Sequence, residues 1–495
     1  MVDALLQFPP LLSLHFLVLL ILALFGLHRL HLLSVFARWR KDAPLCPCGP
    51  EEWPFVTVQL PVFNERFVVE RLIEAASEMD YPLSRLQIQV LDDSTDETIE
   101  ISERCAARLR ARGVNIEVLH RHDRRGFKAG ALQAGLDSAE GDFVAVFDAD
   151  FVPPRAFLKE TIPHFEDDAV GMVQARWGHL NEGFSVLNRC QALLLDGHFV
   201  IEHAARNWSG RFFNFNGTAG IWRKTAIVTS GGWQADTLTE DLDLSYRAQL
   251  QGWRFVYRAD LVVPGELPDS MAALKSQQYR WAKGSIETAR KLVPRIVGAR
   301  EYPWWVRLEA CCHLLANVAF PFVLALTVLL PANVILTGTN GGIGSTALDL
   351  SLFGFTTLPF LFFYFRAGRE RGVNAKTLVP RVLAALALGI GLAVNQTRAV
   401  ISASLGRRSP FVRTPKRGSE DGRQFWRAYA MPVHWTTWLE FGLGLLQLAA
   451  GWIALIDGRW PVVPFLLLFA AGFLGVSSRT AIDAFPARGY RSTAA

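Results

Sequence analysis

Apolar positions crowd the two ends of the chain, and the stretch between them alternates short β-rich runs with helical ones. Leu11 to Leu27 is apolar apart from Ser13 and His15, close to the ~20 residues that cross a bilayer. The basic cluster Arg29, Arg38, Arg40 and Lys41 follows it. No basic stretch precedes the run and no small-residue cleavage site ends it, so an uncleaved anchor is expected, with the next segment in the cytoplasm. After Tyr302 the apolar runs return at about Leu308 to Leu336, Leu348 to Phe365, Leu378 to Val400, Phe441 to Ile456 and Pro461 to Val476. If each crossed singly, residues 406–433 would lie outside, although their Arg and Lys argue for inside. One of the three runs between 308 and 400 is therefore expected to be interfacial, re-entrant or a hairpin.

From Phe55 to about Pro264 the period changes. VTVQLPVF precedes a helical stretch from Glu65 to Met79, IQVLDDS one from Glu97 to Arg112, IEVLHR one from Lys128 to Ser138, and DFVAVFDAD one from Arg155 to Phe165. Strands that run into a polar cluster and then a helix predict an α/β domain on a doubly wound, mostly parallel sheet, with ligands outside the carboxyl ends of the strands. The expected organisation is a membrane anchor over 1–45, a cytosolic domain over 50–300 and a multi-helix transmembrane region over 301–480.

Composition sharpens this. Among 495 residues 51% are hydrophobic, a share that fits a chain partly in lipid, and the formal net charge is only +5. The basic residues sit beside the apolar runs, so they orient the chain in a bilayer and do not form a nucleic-acid surface. The six cysteines include no CxxC pair and no nearby histidine at zinc spacing, which excludes a disulfide scaffold or structural zinc site as the basis of the fold.

Three acidic clusters carry candidate chemistry. Asp92-Asp93 closes one apolar strand, Asp148-Ala149-Asp150 follows FVAVF, and Glu240-Asp241 lies in TLTEDLDL. Each alone is compatible with ordinary turn and N-cap chemistry. Together, carboxylates at the ligand edge of a sheet suit a hard divalent cation, which in turn neutralises a diphosphate. A fourth feature is Gln277-Gln278-Tyr279-Arg280-Trp281. On a helix Gln277 and Trp281 share a face with Arg280 beside them; an indole face suits the apolar side of a pyranose and Arg suits phosphate.

The order DD, DxD, TED, QxxRW resembles the family 2 glycosyltransferases of the processive, cellulose-synthase-like group, over about Val56 to Arg290. Pro61 to Glu65 resembles that family's first-strand donor loop, Lys128-Ala129-Gly130 its lysine turn, and Phe215-Asn216-Gly217-Thr218 its acceptor-side loop. The phrases FNGTAG and GGW are similar to plant mannan and glucomannan synthases and their bacterial relatives. The resemblance implies a GT-A-like catalytic domain inserted between transmembrane helices. It implies a donor site of Asn64, Glu65, Asp92, Asp93, Lys128, Asp148, Gln277 and Arg280, and a Mg²⁺ or Mn²⁺ site at Asp148 and Asp150. Asp241 becomes the general base with Glu240 beside it, and Trp281, Phe215, Asn216 and Gly217 become the acceptor side. Phe411 to Lys416 resembles a gating loop in which Arg413 replaces a Val. The expected protein is an inverting hexosyltransferase of a bacterial inner membrane, its catalytic domain cytoplasmic. Its expected partners are a nucleotide-sugar donor (UDP-glucose or GDP-mannose), a glycan or lipid acceptor and the bilayer. A non-processive glycolipid synthase, and a transporter or channel with a regulatory soluble domain, stay open at this point.

Overall fold

The structure, a computed structural model, describes residues 10–337, 343–407 and 434–484. A seven-stranded sheet has the order β3-β2-β1-β4-β6-β5-β7, with β1 Val56–Val62, β2 Leu86–Asp92, β3 Ile116–His120, β4 Phe143–Val146, β5 Val170–His179, β6 Gly220–Arg223 and β7 Arg254–Gly265. β1 pairs in parallel with β2 and β4, β2 with β3, and β5 with β7, while β6 runs antiparallel between β4 and β5. Six strands therefore point the same way, and their carboxyl ends share one edge. β6 enters from that edge, which brings the loop before it to the same place.

The four helices expected after the first four strands are present as Val69–Ser77, Thr98–Arg110, Phe127–Asp137 and Phe157–Thr161; the third is offset by one residue from the stretch predicted and the others are shorter than theirs. They cover both faces of the sheet, as parallel strands require. Val58, Leu60, Ile88 and Val90 enter one core with Leu72 and Leu109; Val144, Val146 and Leu132 enter the other. The second core continues into the first membrane helix, Pro10–Trp39, through Leu32, Val35 and Phe36. The sheet domain and the first membrane helix thus share one packed interior.

Among the described residues, four helical segments are long and apolar enough to cross a membrane: Pro10–Asp42, Ala316–Leu336, Trp435–Ile456 and Trp460–Ala484. Ala375–Gly391 and Ala393–Ser404 make a fifth candidate, bent by 45° at their junction. These segments make a multi-pass membrane protein. The bend falls in the region where the charge pattern demanded an irregular crossing. A short helix, Trp304–Leu314, precedes the second span and leaves Trp304, Trp305 and Leu308 exposed, a composition suited to a bilayer interface. The gating-like loop, from residue 408 on, lies outside the described residues.

Candidate active site

The carboxyl edge of the sheet opens on a cleft of about 210 Å³. β1 delivers Glu65, β2 Asp93, β4 Asp148 and Asp150, and the helix Glu240–Gln249 both of its first two residues. Gln277, Arg280 and Trp281 face the same cleft from the helix Met271–Gly298, as does Lys128 from the first turn of Phe127–Asp137. Asn216 and Gly217 complete the floor from the loop before β6.

Contacts among these groups fix their geometry. Lys128 Nζ donates to Asp148 Oδ1 at 2.5 Å and to the Gly217 carbonyl at 2.8 Å. Burial alone would weaken the Lys128 ammonium, but Asp148 and Glu240 outweigh it and hold its pKa above the ordinary lysine value. Thr218 Oγ1 accepts from the Asp148 backbone N–H at 2.8 Å. Asp150 Oδ2 accepts from the Glu266 N–H at 3.2 Å, and Arg71 pairs with Glu266 at 2.8 Å. Gly217 has φ +80°, and a Cβ there would lie 3.0 Å from Asp241 Oδ2 and 3.2 Å from Lys128 Nζ. Only glycine serves both the turn and this approach.

Glu240 and Asp241 begin a helix, where its dipole favours negative charge. Burial nevertheless raises both carboxyls; the Glu240 charge adds to the rise at Asp241 and the Asp148 charge to that at Glu240, while Lys128 pulls both the opposite way. Across the cleft burial lowers the Arg280 guanidinium to about 10 against the pull of Glu240 and Asp148. The two helices are locked together at Gly284, where a Cβ would sit 2.5 Å from Thr239 Cγ2. The Leu238 N–H also donates to Glu287 Oε2 at 2.9 Å.

Several expected residues are held by contacts within the protein. Phe215 is fully buried, its ring 5.7 Å from that of Trp222; it packs into the core with Trp222 and Trp233 and does not line the cleft. Asp92 is also fully buried and accepts from the Ser94 N–H at 2.7 Å, holding the loop and leaving Asp93 on the cleft. Asp93 is gripped by Arg121 through two contacts of 2.8 and 2.6 Å. Asn64, at φ 55°, ties its loop to β2 by accepting from the Thr95 N–H at 2.8 Å. The Asn216 side chain turns from the cleft to two histidines: Oδ1 lies 2.5 Å from His203 Nε2 and Nδ2 3.0 Å from His198 Nε2. Burial pushes His203 down to about 3, so it stays neutral and donates from Nε2.

Sequence reasoning missed Trp177, His179, Glu266 and Arg124, all on the cleft. The signal for the first two was the end of a strand, QARWGH, which carries no motif on its own.

The first turns of Met271–Gly298 are held by the membrane helices. Asp483 Oδ2 accepts from the Met271 N–H at 2.7 Å, Asn395 Nδ2 donates to the Lys275 carbonyl at 2.9 Å, and Lys275 Nζ pairs with Glu440 Oε2 at 2.6 Å. The Glu440 side chain is wholly buried and that of Lys275 11% exposed. Removing one partner of such a pair strands a buried charge at a cost of about 3–5 kcal/mol, while replacing both by apolar groups is often neutral. Lys275→Met is therefore expected to lower the unfolding temperature of the detergent-solubilised protein, and Lys275→Met/Glu440→Leu to recover most of the loss. Equal loss in both variants would show that the pair itself carries the stability.

A sequence profile described as glycosyltransferase like family 2 matches residues 54–284, the span that builds this cleft. Residues 54–284 are a family 2 glycosyltransferase domain. The chain is 39% identical over 311 residues to glucomannan 4-beta-mannosyltransferase 7 of Arabidopsis thaliana, covering 60% of this chain and 56% of that protein. It is 41% identical over 266 residues to glucomannan 4-beta-mannosyltransferase 1 of Oryza sativa subsp. japonica, covering 53% and 51%. The chain thus spans about half the length of the curated relatives it matches. A mannosyltransferase from Pyrobaculum calidifontis, solved with GDP-Man and Mn²⁺, superposes with a TM-score of 0.53 at 19% identity, over 80% of this chain and all of that one. It shares the GT-A fold of the domain. The two glucomannan mannosyltransferases are plant proteins, so the bacterial inner membrane expected from the sequence gains no support from them.

Proposed function

We propose that this protein is an inverting, metal-dependent membrane glycosyltransferase that moves a hexose from a nucleotide sugar to a β-linked glycan, with its catalytic cleft on the cytoplasmic face. The observation that carries this reading is the meeting of Asp148, Asp150, Asp241 and the Gln277–Arg280–Trp281 face, from three separate stretches of chain, on one cleft. Asp241 takes the proton of an acceptor hydroxyl as that oxygen attacks the anomeric carbon, and the nucleoside diphosphate leaves on the opposite side. Arg280 and Lys128 face the departing phosphates. Trp281 supports the apolar face of the acceptor sugar.

Among the described residues no group of three or more His, Cys, Asp or Glu forms a ready-made metal cage. Two cleft carboxylates, Asp148 and Asp150, are instead of the hard-oxygen kind that would hold a divalent cation beside the substrate. Mg²⁺ or Mn²⁺ held there supplies positive charge to the leaving diphosphate. Lys128 contacts Asp148 through one carboxylate oxygen, Oδ1.

The mannosyltransferase relatives, and the GDP-Man in the neighbouring structure, favour GDP-mannose over UDP-glucose as donor. Incubating the purified protein with a panel of radiolabelled nucleotide sugars and Mn²⁺ tests this. Label entering a glycan from GDP-mannose is expected; turnover of none of them would refute the reading. Product length on a gel separates a processive synthase from one that adds a single sugar to a lipid.

A further inference from the structure

Behind the cleft the chain leaves α-helical winding for a π-helix, Gly197–His203, a turn that is rare and frequent at functional sites. It begins at Gly197, where a Cβ would lie 2.7 Å from Tyr364 Cε1 and 2.8 Å from Phe363 Cε1 of the helix Ile343–Glu370. Its consequence is the placing of two histidines. In an α-helix residues five apart point about 140° away from each other, whereas i→i+5 winding returns them to one side. His198 and His203 accordingly have ring centroids 4.1 Å apart, and their Nε2 atoms meet the two ends of one amide, that of Asn216.

The direction of these hydrogen bonds is set from the membrane side. His198 Nδ1 faces Glu202 Oε2 at 3.6 Å, a carboxylate held by Arg206 at 2.9 Å and by Arg29 of the first membrane helix. Beside a carboxylate Nδ1 carries the ring proton, which leaves Nε2 as an acceptor. It takes a hydrogen from Asn216 Nδ2, so Oδ1 turns to His203 and His203 Nε2 donates. Reversing the pair would point a lone pair at Glu202. Arg206 also reaches Glu309 of the helix Trp304–Leu314 at 2.9 Å.

What the amide holds is the residue after it. The Gly217 carbonyl accepts from Lys128 Nζ at 2.8 Å, and a Cβ on Gly217 would meet Asp241 Oδ2 at 3.0 Å. A glycine restricts its own backbone least of all residues, so its neighbours have to fix it. Thr218 does so on one side, through the Asp148 N–H; Asn216 does so on the other.

We propose that His198 and His203 are positioning residues of the transfer reaction: by clamping the Asn216 amide they fix the Gly217 carbonyl, and with it the Lys128 ammonium and the approach to Asp241. The inference rests on the glycosyltransferase reading and adds to it two residues that stand behind the cleft wall.

The test uses the full-length protein and a nucleotide sugar that the wild type turns over, in the variants His198→Leu, His203→Leu, His198→Gln, His203→Gln and Asn216→Ala. A Gln amide can accept at 198 and donate at 203, while Leu fills the space and does neither. With rates measured below every melting temperature, kcat is expected to fall about 10- to 100-fold in the Leu variants and in Asn216→Ala. Donor and acceptor KM are expected to stay within about threefold of wild type, as for a group that acts in the transition state. The Gln variants are expected to keep kcat within about threefold of wild type, which a merely space-filling role for the rings does not predict. Leu and Gln variants of equal kcat overturn the inference. Should a Leu variant fail to fold, Asn216→Ala decides, since it leaves the buried histidines in place: an unchanged kcat, or a rise in acceptor KM alone, overturns the clamp and leaves the parent reading standing. A wild-type protein that turns over no nucleotide sugar removes both readings at once.

Discussion

Asp241→Asn is expected to reduce sugar transfer by about 10²- to 10⁴-fold, the usual contribution of a positioned general base, with the protein still folded and still binding nucleotide. The isosteric amide keeps the Leu242 N–H contact that Asp241 Oδ1 accepts at 2.8 Å, so the loss reports proton transfer and not the helix start. Initial rates of transfer in purified wild type and variant check this; a variant within twofold of wild type would remove the base from Asp241. A pH dependence follows from the same group. Burial first and Glu240 second raise the Asp241 carboxyl, and a base works only deprotonated. Transfer is thus full above the raised pKa and lost as pH falls through it, which places the acid limb above the ordinary carboxylate range. Glu240→Gln removes one neighbouring negative charge and should move that limb to lower pH.

Removing divalent metal is the second large effect. Chelation should reduce transfer by roughly 10²- to 10³-fold, the equivalent of several kcal/mol of charge stabilisation at the leaving diphosphate. Added Mn²⁺ or Mg²⁺ should restore it. Asp150→Asn should behave like partial chelation, raising the metal concentration needed for half-maximal rate, since the variant keeps an oxygen but loses charge. In the structure Asp148 is paired with Lys128 at 2.5 Å, a positive charge that would compete with a cation for the same carboxylate. Lys128→Met is accordingly expected to tighten metal binding while weakening the hold on the diphosphate. Full activity in chelator would contradict this role for the pair.

Much of the domain was legible because its chemistry is local. Asp93, Asp148 and Asp150 follow apolar strands, and a parallel sheet sends every such strand end to one edge, so strand ends that are far apart in sequence meet on the cleft. The spacing of Gln277, Arg280 and Trp281 likewise fixes one helix face whatever that helix packs against. What was illegible depended on long-range contacts. Alternation in VTVQLPV and LQIQV reads as a half-exposed strand, yet Thr57 donates to Gln87 at 2.7 Å and Gln59 to Gln89 at 3.0 Å inside the core; polar residues are buried there because each finds a partner on the next strand. Phe215 and Asn216 could not be told apart in orientation without the histidines that hold Asn216. Trp177 and His179 end a strand with no acidic cluster to announce it. In the membrane region the bend between Gly391 and Ala393 was foreshadowed by charge, but its place was set by packing: a Cβ on Gly391 would meet the Gly472 carbonyl at 2.3 Å.

The anomeric configuration of the new linkage is the most direct test of the account. An acceptor activated by Asp241 and a diphosphate leaving from the far side permit one inversion, so an α-linked donor has to give a β-linked product. Proton NMR of the glycan made by the purified protein, before any rearrangement of free sugar, is predicted to show the new linkage as β. An α-linked product would mean that the displacement assigned to this cleft does not take place.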